Sequence, residues 1–378
     1  MRVPHLTRIA LDIRFRTISG SSIAIQHLAR SLVELAPADV GFVPVRYPDQ
    51  TLTDPLDALD AIHVPKMPVL AELAWNELKL PGLLKSNGVD LYHGMKQCGP
   101  LRLHCPQVHT VDAIKRGAAD ELPMPLVPRL YWGRYVCGRY KRSDHLMPVS
   151  DYVSRFLTDC LGIEPDRLTV VNNGVAQRFL EAGRSRNGKR FDPLTLNAPY
   201  VINVGAVIPL KNQIAAVQAL ARIADRVPHH LVLLGQKDPV YGPKVREAAQ
   251  RAGLADRVHH VGFVEPDGLI QFLLGADIMA HTSRTEGFSL AISEAMACGL
   301  PLIVTRRGGL NEQCGDAALY LENPDDHDTL AELMRGVLTD TTQRETMRQR
   351  GLERVAPMSW PAAARKTLGV YNRLLSTA

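Results

Sequence analysis

Two glutamates stand eight positions apart in the stretch EGFSLAISEAMACGLP, Glu286 and Glu294. The residues around them read as a strand (DIMAHTSR), a short loop, a helix from about Ser289, and a stop at Gly299-Leu300-Pro301. In that order the amides of Gly287, Phe288, Ser289 and Leu290 gather at a helix N-terminus, where unpaired N–H groups and the helix dipole attract an anion such as a pyrophosphate. Glu286, in the loop, can accept hydrogen bonds from a sugar. Glu294, just over two turns into the helix, can take a ribose diol with both carboxylate oxygens. Taken alone, Glu294 is equally a surface helix residue and Glu286 a substitute N-cap.

A second group of polar residues lies upstream in YVINVGAVIPLKNQIAAVQAL. A strand over Tyr200 to Val204 ends at Gly205, a loop follows, and Lys211-Asn212 open a helix. A lysine at the carboxyl end of a parallel strand points into the crevice where such sheets bind ligands. There it would neutralise a diphosphate leaving group as negative charge builds on it. By itself Lys211 is a solvated lysine near a helix start; the two loops gain meaning together, because both leave the same edge of one predicted sheet. No D-x-D carboxylate pair is placed to hold a divalent cation, and Asp325-Asp326 after Pro324 reads as a solvated surface turn.

Short β-rich runs alternate with longer amphipathic stretches nearly throughout, so the fold class is α/β with parallel sheets. In the first half the strand candidates are 8–13, 40–45, 90–93, 107–111, 145–149 and 168–171. Between the first two lies a helix over 22–35, with Ile25, Leu28, Leu32 and Leu35 at helical spacing. Gly20, Ser21 and Ser22 separate the first strand from this helix as a side-chain-poor loop that lets a ligand approach the backbone. The stretch 180–199 loses periodicity and collects Gly, Arg, Asn and Pro, as an exposed linker does. Behind it strands are expected at 200–204, 231–234, 258–261, 278–281, 302–305 and 318–321.

At 378 residues the chain suits two domains of ~150 residues or more. Hydrophobic residues at 46% and charged residues at 22% exclude a disordered or fibrous chain. A net charge of +5 suits a phosphate-bearing ligand, but without a dense basic face interleaved with aromatics no nucleic-acid partner is expected. Six scattered cysteines without a C-x-x-C pair, an N-terminus lacking an unbroken apolar stretch, and no apolar run of ~18 residues point to a cytoplasmic protein.

The order G-x5-KN, a strand ending LLG, VGFV, E-x7-E and then CGLP resembles the family 4 glycosyltransferases, the group 1 glycosyl transferases of GT-B fold. The resemblance runs nearly end to end: IALDIRFRTISGSSIAIQHLARSL at the front, LMPVSDYVSRFL and LTVVNNGV in the middle, GDAALYLENP and WPAAARKTLGVYNRLL near the end. It implies two Rossmann-like domains facing across a cleft. The N-terminal acceptor domain covers 1–185 and is rejoined by the helix 357–378; the C-terminal donor domain covers 195–356.

By the same resemblance Glu294 holds the nucleotide ribose, Lys211 the diphosphate, and Glu286 with the amides of Gly287 to Leu290 the transferred sugar. Gly205 and Asn212 belong to the donor site, Gly20 to Ser22 to the acceptor side, and His109 resembles a family histidine near the reacting sugar. His93 is a weaker candidate that reads as packing. The family is retaining and metal-independent, so no cofactor or metal is expected, and the partners are a nucleotide-sugar donor and a saccharide, lipid-linked or small-molecule acceptor. The D-x-R opening and the G-A-x-x-P-x-K-N loop look most like mannose-type members, favouring a GDP-mannose-like donor with UDP-sugars close behind. The chain departs from the family where Ala206 and Leu210 stand at places often held by arginine. The basic, aromatic segment 128–142 has the composition of a face that rests on the inner side of an anionic membrane or of an ordinary surface helix. Two other readings are a nucleotide-sugar epimerase of the same fold and a non-catalytic nucleotide-sugar-binding subunit; a dinucleotide oxidoreductase is disfavoured because no G-x-G-x-x-G follows a predicted strand.

Overall fold

The computed structural model describes residues 6–96, 99–112, 131–185 and 191–377. The chain divides into two units, Met1–Gly174 with Ser359–Ala378, and Val175–Met358.

In the first unit the strands are β1 (Thr7–Asp12), β2 (Val40–Arg46), β3 (Ile62–His63), β4 (Leu91–Gly94), β5 (Gln107–Val111) and β6 (His145–Pro148). Every pairing is parallel, in the order β3-β2-β1-β4-β5-β6. Ile9, Ala10 and Leu11 are all buried, so β1 is apolar on both faces, as a parallel strand covered on each side must be. The helix Gly20–Leu35 starts on a capping box in which Ser19 and Ser22 satisfy each other's backbone amides, and it buries Ile25, Leu28 and Leu32. The C-terminal helix Trp360–Thr377 packs on it, with Trp360 stacked on the ring of His27 at 5.4 Å.

The second unit carries β7 (Tyr200–Val204), β8 (His230–Leu234), β9 (Val258–Gly262), β10 (Ile278–His281), β11 (Leu302–Thr305) and β12 (Ala318–Leu321). Its order, β12-β11-β10-β7-β8-β9, is the first unit's order read from the opposite edge. Both are Rossmann arrangements. The strand order reverses between β1 and β4 in one and between β7 and β10 in the other, and ligands bind in the crevice outside the carboxyl ends at such a reversal.

The structure differs from the sequence expectations at three places. Leu168 makes only an isolated bridge to Leu146, so 168–171 is not a sheet strand. β3, with two residues, was too short to leave a periodic signal. The change of unit falls at Gly174–Val175, ahead of the expected linker, because the helix Gln177–Arg184 buries Phe179 and Leu180 in the second unit's core. No described helix is long and apolar enough to cross a membrane.

Candidate active site

The reversal in the second unit brings the two sequence motifs together. After β7 the chain turns through Gly205 (φ +146°), runs a 3-10 turn over Pro209–Lys211, passes Asn212 in the left-handed region (φ +51°) and enters the helix Gln213–Arg222. After β10 it passes Thr282, Ser283 and Arg284 to Glu286. Backbone and hydroxyl groups tie the two loops to each other. The Arg284 amide donates to the Leu210 carbonyl at 2.8 Å, and the Thr282 hydroxyl lies 3.0 Å from the Lys211 carbonyl and 2.9 Å from that of Asn212. Lys211 therefore cannot drift from the β10 loop.

Its ammonium donates to Oε1 of Glu286, and the same oxygen is 2.9 Å from Nε2 of His281, the last residue of β10. Burial alone would push the Glu286 carboxyl up, but Lys211 and His281 outweigh it and hold it at about 2. The loop is braced from behind by Gly308-Gly309, whose second amide donates to the Glu286 carbonyl at 2.8 Å. Gly308 has φ +63°, and a Cβ there would stand 2.1 Å from that carbonyl oxygen. Gly235 works likewise beside the first loop, where a Cβ would stand 2.1 Å from the Gly205 carbonyl oxygen.

Glu294 lies half-buried on the helix Leu290–Ala297, and burial raises it to about 7 against the opposing pull of Arg178. Two expected donor groups turn out to serve the protein. The Ser289 amide donates to Oε1 of Gln313 at 3.0 Å, while Gln313 returns its own amide to the Ser289 carbonyl at 2.7 Å. That leaves Gly287, Phe288 and Leu290 as the backbone donors of this stretch. The Asn212 side chain donates to the Pro324 carbonyl at 3.0 Å and to Asp325, anchoring the segment after β12. Asp325 is not simply solvated: Arg284 grips it with two hydrogen bonds of 2.6 and 2.8 Å. Its neighbour Asp326 caps the helix His327–Thr339.

In the first unit, Gly20, Ser21 and Ser22 are the helix's own first turn rather than a preceding loop, and they follow β1 at the reversal of that sheet. Ser22 is buried and engaged in the capping box. His109 is 1% exposed, its Nε2 accepts the Gly99 amide at 2.9 Å, and its Nδ1 is therefore the protonated nitrogen, 2.8 Å from the Ser143 hydroxyl. Burial lowers it to about 4, with Arg139 acting in the same direction. Both ring nitrogens of His109 are thus engaged within the first unit. His93 packs as expected, between Tyr371 and Thr110. The D-x-R opening is structural too: Arg14, wholly buried, holds both oxygens of Asp12 at 2.8 and 2.6 Å and reaches Asn76 and Glu72. Of the segment 128–142, residues 128–130 lie outside the described residues; Arg139 and Tyr140 turn inward, and Arg134, Lys141 and Arg142 are exposed.

Sequence reasoning missed His281, Gly308 and Gln313. His281 had a readable signal, a histidine at the carboxyl end of a strand beside Glu286. Gln313, 24 residues from Ser289, had none.

Two parallel sheets of Rossmann order, one with a lysine and a carboxylate paired at its reversal, define an α/β fold that takes ligands at the carboxyl ends of its strands. The family model described as Glycosyltransferase Family 4 matches residues 18–178, and the one described as Glycosyl transferases group 1 matches residues 186–354. A D-inositol 3-phosphate glycosyltransferase of Kribbella flavida is 26% identical over 96% of this chain and 89% of its own. An MMP alpha-(1->4)-mannosyltransferase of Mycolicibacterium hassiacum is 29% identical over 67% of this chain and 60% of its own. Among solved structures, Anabaena HepE in complex with UDP and glucose superposes with a TM-score of 0.74 at 17% identity, covering 98% of this chain and 100% of that one. The chain belongs to the family 4 glycosyltransferases and is an enzyme of GT-B fold.

Proposed function

We propose that the enzyme transfers a sugar from a nucleoside diphosphate donor held by the second unit, with retention of anomeric configuration and without a metal ion. The observation that carries this reading is the convergence of Lys211 and His281 on Glu286 at the carboxyl ends of β7 and β10. A lysine has three donors. One bonds Glu286, and the others are available to the diphosphate, whose growing negative charge Lys211 and the amides of Gly287, Phe288 and Leu290 offset. Glu294 accepts the ribose hydroxyls, and Glu286 accepts those of the transferred sugar.

In this reaction the acceptor oxygen bonds to the anomeric carbon on the face from which the nucleoside diphosphate departs. The bond from that carbon to the phosphate oxygen breaks, and the departing phosphate takes the acceptor's proton. No protein nucleophile is needed, which agrees with a Glu286 carboxylate whose Oε1 already receives two protein hydrogen bonds. Lysine and amides supply the cationic surroundings that a cation would otherwise provide. Of the donors, GDP-mannose is favoured and UDP-sugars come next. The name of the Mycolicibacterium relative supports mannose, and UDP in the HepE structure keeps uridine in view. The acceptor, a saccharide, lipid-linked or small molecule, belongs to the first unit, in a cytoplasmic setting.

A donor panel tests this. A nucleotide sugar at 100 times its Kd should stabilise the fold by about 2.7 kcal/mol. Transfer should proceed unchanged in excess chelator and yield a product with the donor's anomeric configuration by NMR. Inversion, or loss of activity in chelator restored by a divalent cation, would refute the mechanism.

A further inference from the structure

Glu286 receives two protein hydrogen bonds on one oxygen, from Lys211 and from His281 at 2.9 Å. The histidine closes β10, is 2% exposed, and its Nδ1 is buried with no hydrogen-bond partner among the described residues. An ionised carboxylate only accepts, so Nε2 carries a hydrogen and donates it to Oε1. The ring is thus held as a donor aimed at Oε1, and no described protein donor reaches Oε2.

A lysine alone is a point charge on a flexible four-carbon stem and fixes a carboxylate's orientation poorly. A buried, planar ring on a strand end fixes it well. The next residue, Thr282, bonds the backbone of Lys211 and Asn212, so the end of β10 sets the place of both the lysine and the glutamate.

We infer that His281 is a positioning residue, which locks Oε1 of Glu286 and so leaves Oε2 set to receive a hydroxyl of the donor sugar. This rests on the role proposed above for Glu286. The alternative, a histidine that only fills space, predicts that its loss lowers stability without acting through Glu286.

A double-mutant cycle with the full chain separates them: wild type, His281→Leu, Glu286→Gln and the double variant, with His281→Gln and His281→Asn added. kcat/KM for the best donor and the thermal midpoint are measured for each. Glutamine can present an amide near the position of Nε2, whereas asparagine, of the same polarity, is too short. His281→Leu should lower kcat/KM about ten- to hundredfold, the loss expected for a hydrogen bond to a charged group. His281→Gln should recover most of it, and in the Glu286→Gln background His281→Leu should change it by no more than about twofold. Equal losses in both backgrounds, a glutamine variant no better than asparagine, or wild-type activity in His281→Leu would overturn the inference. Should the leucine variant not fold, asparagine takes its place in the cycle. If Glu286→Gln itself transfers like wild type, it is the donor-site reading that fails.

Discussion

Glu294 gives the second unit a pH dependence whose sign can be worked out. Burial raises its carboxyl from 4.5 to about 7, so between those values the unfolded chain ionises while the folded one keeps its proton. Stability contributed by this proton is present below about pH 4.5 and lost as the pH rises through about 7. Glu294→Gln should therefore match wild type near pH 4.5 and exceed it by on the order of 2–3 kcal/mol at pH 8, read from urea unfolding at the two values. Equal stabilities at pH 8 would remove the buried proton. Donor binding should run the opposite way, strengthening through pH 7 as the carboxylate becomes able to accept both ribose hydroxyls, and calorimetry of wild type against Glu294→Gln reads it directly.

Loops rather than strands decide the site, and each loop has a brace that single substitutions can break. Gly308→Ala would drive a Cβ to within 2.1 Å of the Glu286 carbonyl oxygen at φ +63°, and it should lower the thermal midpoint and kcat/KM together. Gln313→Leu leaves the buried Ser289 amide and carbonyl without their side-chain partner and should cost about 2 kcal/mol; a midpoint equal to wild type would deny the brace. The sequence made the loops' parents legible. Strands such as YVINV and IMAH are short β-rich runs with turn residues nearby, and each forms where it is expected. What it could not reveal is who bonds whom across long separations. The partners of His109, Gly99 and Ser143, and those of Asn212, Pro324 and Asp325 from beyond β12, leave no local pattern in the sequence. Lys211 and Glu286 were legible because both follow strands that flank the reversal of one sheet.

Across the whole molecule, the last helix belongs to the unit that the chain built first. Trp360–Thr377 covers the helix Gly20–Leu35 and brings Tyr371 to His93. A chain ended at Met358 should lose the folded first unit while residues 175–358 still unfold cooperatively and still bind nucleotide, seen as one surviving transition in calorimetric scans; two surviving transitions would contradict this. The proposed transfer depends most directly on Lys211, the cation at the reversal of the second sheet, to drive departure of the nucleoside diphosphate. Turnover of Lys211→Ala measures it. Lys211→Ala should still unfold cooperatively, with kcat lower by roughly a hundredfold or more, the scale on which a single transition-state donor acts. A folded Lys211→Ala enzyme with wild-type turnover would contradict it.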